Sequence, residues 1–177
     1  MVFVETKLEG AYIIEVEKRE DDRGFFARTF CQHEFEAHGL NPRIAQCSVS
    51  FNRRKGTLRG MHYQVAPYEE AKLVRCTMGA IYDGAVDWRR DSPTFKQWVT
   101  AELTVDNGRM FHIPAGFAHG FQTLVDNSEV YYQISEFYHP EAARGIRWDD
   151  PAFGVQWPLP EGPILSERDR SYADYAL

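Results

Sequence analysis

The sequence predicts an all-β fold with few short helices, closed as a barrel or as a jelly-roll sandwich. Three observations point there. Roughly ten short runs rich in β-branched and aromatic residues follow one another along the chain. Glycines and prolines punctuate them, among them Gly24, Gly56, Gly79, Gly108, Gly116, Pro42, Pro67 and Pro93. Only residues 32–39, QHEFEAHG, read as a helix, and a short one. Strands with so little helix bury their apolar faces by packing sheet on sheet or by closing a barrel. An aromatic content of 14% suits either arrangement, or an aromatic-lined pocket.

In chain order the strand-like runs are 11–17, 23–30, 44–51, 57–64 and 71–78, then 80–88, 98–105, 109–115, 120–125 and 129–138. Residues 52–56, NRRKG, form a basic run best read as a solvated turn. With neither an internal repeat nor a linker, the 177 residues are expected to form one domain, 1–177. Strand alternation predicts a polar lumen. In 44–51, Ala45, Cys47, Val49 and Phe51 share one face, while Gln46, Ser48 and Ser50 share the other. In 129–138, Tyr132, Ile134, Glu136 and Tyr138 fall together. One polar stripe alone would face solvent; several in one barrel point to a cavity.

Composition narrows the function. Twenty basic against 26 acidic residues leave a net charge of −6, which disfavours nucleic acid as a partner but leaves room for a small phosphorylated ligand. Cys31, Cys47 and Cys76 are odd in number and without CxxC spacing, as expected of reduced thiols. No apolar run approaches a leader or a membrane span, so a cytoplasmic protein is expected, with no membrane partner.

The segment NGRMFHIPAGFAHGFQTL contains Gly108, Pro114, Gly116 and His119 in the pattern G-x5-P-x-G-x-x-H. It resembles the second motif of the cupin superfamily, which narrows the fold expectation to a cupin-type jelly-roll barrel. A metal-binding cupin carries His-x-His and a glutamate in its first motif. Here His62-Tyr63-Gln64 lacks the second histidine, so no metal site is expected and a metal-dependent oxygenase is the weaker reading.

Eight ordered segments carry a more specific resemblance: DDRGFFARTF, GTLRGMHYQ, KLVRC, IYDGAVDWRRDSPTF, IPAGFAHGF, YYQISEFY, RWDDPAFGVQWP and ILSERD. Together they resemble the dTDP-4-dehydrorhamnose 3,5-epimerase family over nearly the whole chain. The resemblance implies a homodimeric, cofactor-free and metal-independent isomerase acting on a nucleotide-linked 4-keto-6-deoxyhexose. Alternatives are a relative that inverts C3 or C5 alone, one that uses another nucleotide, and a non-catalytic cupin that binds the nucleotide sugar.

Protons at C3 and C5 of a 4-keto sugar are acidified by the adjacent carbonyl, so inversion needs a base, an acid on the other face and positive charge near O4. The resemblance gives His62 as base, Tyr132 as acid, Lys72 as the cation and Asp169 as the carboxylate that orients the base. Each has a bland reading: a core histidine, a core aromatic as expected for Tyr131, a surface lysine and a solvated carboxylate. The resemblance further places Arg23, Gln46, Arg59 and His119 around the diphosphate and sugar, with Tyr138 stacking near the nucleobase. Simple alternation puts Arg59 and His62 on opposite faces, so a bulge at Gly60 is expected if both enter the cavity. Phe25 and Phe26 suggest an edge strand exchanged with a dimer partner. The chain departs from the family pattern at Arg28, where a glutamate is usual, and at Ser48, Gln133 and Gly84. Arg28 and Ser48 lie in nucleotide-contacting segments. An inward Arg28 would favour cytosine, and an outward, ion-paired Arg28 would leave thymidine preference intact.

Overall fold

The computed structural model describes residues 1–175. Strands dominate, and two sheets lie face to face. The first has six strands: β1 (Val2–Glu5), β2 (Tyr12–Glu15), β5 (Gln46–Asn52), β7 (Lys72–Met78), β10 (Met110–Ile113) and β12 (Ser128–Ile134), in the order β1-β2-β10-β7-β12-β5. The second has five: β6 (Leu58–Gln64), β8 (Ala80–Asp87), β9 (Trp98–Thr104), β11 (Phe117–Thr123) and β13 (Ala143–Gly145), in the order β13-β6-β11-β8-β9. All of these ladders are antiparallel. β3 (Arg19–Asp21) and β4 (Gly24–Phe26) form a separate hairpin. The jelly-roll expectation is met.

Alternating residues of both sheets build the core between them. Val74, Phe111 and Val130 from the six-stranded sheet meet Ile81, Leu103 and Phe121 from the five-stranded one. Burying each such side chain contributes about 1.5–3 kcal/mol before the entropy of ordering is counted. Each sheet is also covered on its outer face. Helix α1 (Gln32–Ala37) lays Phe35 against Ile14, Leu73 and Met110. Gly39, at φ +69, closes that helix in the left-handed conformation that glycine adopts without steric cost. Over the other sheet, Ile146, Phe153 and Trp157 cover Leu58, Met61 and Ala118. This C-terminal layer leads into helix α2 (Glu167–Arg170), and the Tyr175 N–H donates to the buried Asp150 Oδ2 at 2.6 Å.

Several elements differ from the sequence expectation. β1, β3, β13 and α2 carry no periodic apolar signal of their own; pairing with a neighbour or a cap creates them. Within 23–30 only Gly24–Phe26 is a strand, while β11 begins at Phe117, three residues before the expected start at 120. Tyr131 is not a core residue: it lies outward on β12 next to Cys47, because Val130 and Tyr132 take the inward positions. All three cysteines are free, and residues 53–56 form a turn. Among the described residues no helix is long and apolar enough to cross a membrane.

The expected bulge is present. His119 stands opposite His62, and Phe121 opposite Arg59, so two steps along β11 match three along β6. The extra residue returns Arg59 and His62 to one face. Gly60 makes this possible at φ +141, where a Cβ would lie 2.6 Å from Gly120 Cα. Gly60→Ala should therefore cost ~2–3 kcal/mol of stability, read as a lower urea midpoint. An unchanged midpoint would show that the strands separate freely.

A second consequence concerns His112. Its ring lies edge-on to Phe35, Nδ1–H donates to Gly10 O at 3.1 Å, and among the described residues Nε2 has no partner. Burial lowers its pKa from 6.5 to about 4. Below pH 6.5 the unfolded chain takes up a proton that the folded chain refuses, so stability falls with pH down to the folded value. The low-lying carboxylates contribute later: Asp87, held at about 2 by Arg89, Ser92 and Thr94 against the opposing effect of burial, loses its contribution only as pH falls from 3.8. Between pH 6.5 and 4.5, wild type should lose ~2–3 kcal/mol more than His112→Leu, measured by chemical denaturation. Parallel pH curves would refute this.

Candidate active site

The polar face predicted for 44–51 lines one cavity of about 380 Å³, and Tyr132, Ile134 and Tyr138 of the 129–138 face join it; Glu136 does not, because β12 ends at Ile134 and Glu136 pairs with Arg43 at 2.7 Å. Gln46, Ser48 and Ser50 on β5 and Tyr132 and Ile134 on β12 form one wall. Arg59 and His62 on β6, with His119 on β11, form the facing wall. The ladder sets this up by placing Ser48 beside Tyr132 and Gln46 beside Ile134, all with the same inward parity.

His62 Nε2 lies 2.6 Å from Asp169 Oδ1. Asp169 is 3% exposed, sealed under the C-terminal layer rather than solvated near the chain end. Ser166 caps α2 by accepting the Asp169 N–H at 3.1 Å, so the cap fixes the carboxylate as well as the helix. Burial raises the Asp169 pKa, but bonds from the His62 ring, Ser166 and the Gly60 backbone outweigh it and hold the group below the ordinary carboxylate range. A carboxylate at Nε2 selects the Nε2–H tautomer and leaves the lone pair on Nδ1.

Across the cavity, burial holds the Tyr132 phenol well above its ordinary pKa of 10; nearby Asp83 adds to this and Arg59 opposes it. The phenol is therefore protonated at neutral pH. Its ring meets that of His119 edge-on at 6.1 Å. His119 Nε2 is 2.6 Å from Asp83 Oδ1, and both side chains are buried. Lys72 Nζ lies 2.9 Å from Glu70 Oε1 and donates to His62 O at 3.4 Å, which places the ammonium beneath the His62 strand. Arg59 Nε donates to Asn52 Oδ1 at 2.7 Å, and Gln46 Oε1 accepts the Tyr138 N–H at 2.6 Å. Tyr138 stands exposed at the cavity mouth.

Thus nine sequence candidates converge: His62, Tyr132, Lys72, Gln46, Ser48, Arg59, His119 and Tyr138 on the lining, with Asp169 behind His62. Arg23 and Arg28 do not join them in this chain. Arg23 is 89% exposed on the β3–β4 turn and pairs with Asp21 at 2.6 Å. Arg28 pairs with Glu34 at 3.1 Å, and Glu34 also holds the N-terminal ammonium at 2.8 Å. The outward, ion-paired position of Arg28 is the one found, because Glu34 on α1 meets it first.

Sequence reasoning missed Asp83, Glu70 and Arg168. Asp83 carried a usable signal: between Ile81 and Ala85 it has core parity, and a buried carboxylate requires a partner. Glu70 and Arg168 come from loop and helix positions without such a pattern. Among the described residues no three His, Cys, Asp or Glu side chains gather as metal ligands.

Comparison with known proteins agrees with this geometry. The family model for dTDP-4-dehydrorhamnose 3,5-epimerase matches residues 5–176. The dTDP-4-dehydrorhamnose 3,5-epimerase of Methanothermobacter thermautotrophicus is 45% identical over 172 residues, covering 96% of this chain and 92% of that protein. The crystal structure of the Elizabethkingia anophelis dTDP-4-dehydrorhamnose 3,5-epimerase superposes with a TM-score of 0.96 at 37% identity, covering 99% of this chain and 96% of that one. A Legionella pneumophila dTDP-6-deoxy-D-glucose-3,5-epimerase in complex with dTDP-4-keto-L-rhamnose superposes with a TM-score of 0.91 at 39% identity, covering 97% and 90%. With the fold, the cavity and the full-length match in agreement, the chain belongs to the dTDP-4-dehydrorhamnose 3,5-epimerase family.

Proposed function

We propose that this protein epimerises a nucleotide-linked 4-keto-6-deoxyhexose at C3 and C5, converting dTDP-4-dehydro-6-deoxyglucose to dTDP-4-dehydrorhamnose. One observation carries the reading: a carboxylate-bound histidine and a neutral phenol face each other from opposite sheets across one cavity.

His62 removes the C–H proton at the centre next to the ketone, through the lone pair that Asp169 leaves on Nδ1. The electron pair moves into the ring as the enolate, with its charge on O4. Lys72 places positive charge near that oxygen. Tyr132 delivers a proton to the opposite face, inverting the centre. The protonated His62 and deprotonated Tyr132 then return to their starting states through solvent, and the same exchange serves the second centre. Arg59, Gln46, Ser48, His119 and Tyr138 hold the diphosphate, sugar and nucleobase. No redox step is involved, and Lys72 supplies at O4 the positive charge that a Lewis-acid metal would otherwise provide.

We also propose that the chain acts as one domain in a cytoplasmic homodimer. Phe25 and Phe26 are 58% and 73% exposed on the β3–β4 hairpin, and Val49 and Phe51 are exposed on edge strand β5. That is apolar surface which a second copy would cover. The hairpin would then carry Arg23 towards the partner's cavity.

In D2O, product NMR should show deuterium entering at C3 and C5. His62→Ala should abolish exchange, whereas Tyr132→Phe should impair inversion more than exchange, since the base can return the proton to the face it left. Equal loss of both in the two variants, with binding intact, would remove the case for separate roles. Turnover should survive prolonged chelation; loss restored by a stoichiometric metal would overturn the metal-free reading. Mixing inactive His62→Ala with an impaired Arg23→Ala variant should restore about a quarter of wild-type activity, because each mixed dimer then holds one complete cavity. No recovery on subunit exchange would place Arg23 outside the partner's site.

A further inference from the structure

The basic turn after β5 is not used by the mechanism above. Its backbone is pinned to the β11–β12 connection. Lys55 N–H donates to Asp126 Oδ1 at 2.7 Å, Arg54 O accepts from the Thr123 hydroxyl at 2.8 Å, and Asn127 N–H donates to Arg53 O at 3.2 Å. The Arg53 and Arg54 side chains remain exposed, and among the described residues neither takes part in an ion pair. Both line a second concavity of about 450 Å³, and the third cation on its wall is Arg59. Arg59 also lines the catalytic cavity, so one arginine borders both spaces.

Arg59 is built into that position. Its Nε is held by Asn52, which is buried and whose own amide donates to Ser50 O at 3.0 Å and Ser128 O at 3.2 Å. The two terminal nitrogens make no hydrogen bond with the protein among the described residues. The second concavity has no acidic residue in its lining. Three arginines on one wall stand out in a chain whose net charge is −6, since the overall charge repels an anionic ligand. A local patch of opposite sign overcomes such repulsion over about a Debye length and raises association rates.

We propose that Arg53 and Arg54 form an anion-capture subsite that draws the diphosphate of the incoming nucleotide to Arg59 and so into the catalytic cavity. This rests on the nucleoside-diphosphate reading of the substrate. The subsite acts on encounter: it speeds association and contributes little to the bound state, where Arg59 carries the contact.

The test is stopped-flow association of 3′-mant-dTDP with wild type and with Arg53→Gln/Arg54→Gln over a range of ionic strength. The double variant should associate about five- to tenfold more slowly at low salt, with an unchanged dissociation rate. Its salt dependence should be shallower, and the two rate curves should merge near about 0.5 M salt, where the screening length is only a few ångströms. Each single variant should show part of the loss. Arg90→Gln/Arg109→Gln, the same change of net charge outside both concavities, serves as the control. An unchanged rate and salt slope, a loss no larger than the control's, or no binding of 3′-mant-dTDP by wild type would overturn the proposal. Wild type that binds the nucleotide yet fails to exchange deuterium into the sugar would refute the epimerase reading and leave the capture subsite standing.

Discussion

Gly60 and Gly120 meet backbone to backbone, where a methyl group on either would overlap the other strand: 2.6 Å to Gly120 Cα in one direction and 2.8 Å to Arg59 O in the other. Everything on the His62 side of the cavity follows from this approach. It accommodates the extra residue of β6, which turns Arg59 and His62 to the same face and sets His62 directly opposite His119. Without it, one of the two would point into the apolar layer formed by Leu58, Met61 and Trp157. A charged or titratable side chain there would lack a partner, at a cost of several kcal/mol.

Each carboxylate at the cavity has a close partner. His62 has Asp169, His119 has Asp83 and Lys72 has Glu70, each at 2.6–2.9 Å. Pairing makes burial tolerable, since an isolated ion at the same depth would change protonation state instead. It also separates the two groups assigned to proton transfer. A carboxylate supports the histidine as it gains positive charge, whereas burial and the field of Asp83 disfavour loss of the phenol's proton. A phenolate at Tyr132 would be offset by the cations on the lining, Arg59, Lys72, Arg144 and Arg168.

The surface divides along the same lines. The concavity beside the cavity carries Arg53, Arg54 and Arg59, which make no ion pair among the described residues, while the β3–β4 hairpin and strand β5 carry exposed Phe25, Phe26, Val49 and Phe51. An anionic ligand and a second protein copy would meet neighbouring parts of this surface, with Phe51 bordering both. β5 links them, presenting Ser48 inward and Val49 outward from consecutive positions.

Periodicity was enough for a barrel or a sandwich, because strands with alternating faces can bury apolar surface in few ways, and the cupin-like motif narrowed this to the jelly roll. The inward stripe of β5 was equally legible, and so was Tyr132 with Ile134 on β12; the bulge followed once the resemblance placed both Arg59 and His62 in the cavity, since alternation alone sets them on opposite faces. Chemical roles for His62, Tyr132, Lys72 and Asp169 came from motif resemblance and not from periodicity. Beyond the reach of sequence were β1, β3, β13 and α2, whose residues acquire regular structure only from what they pair with or are capped by. The side Tyr131 faces was settled by its neighbours Val130 and Tyr132 taking the core. Tertiary structure also decided which carboxylate meets which cation: Asp169 reaches His62 across 107 positions of sequence, Asp83 reaches His119 across 36, and Arg28 is taken by Glu34 six residues on. Sequence determines which side chains face inward along a strand. Only the closing of two sheets and a C-terminal layer over them determines which inward side chains meet, because those distances are set by chain segments far apart in sequence.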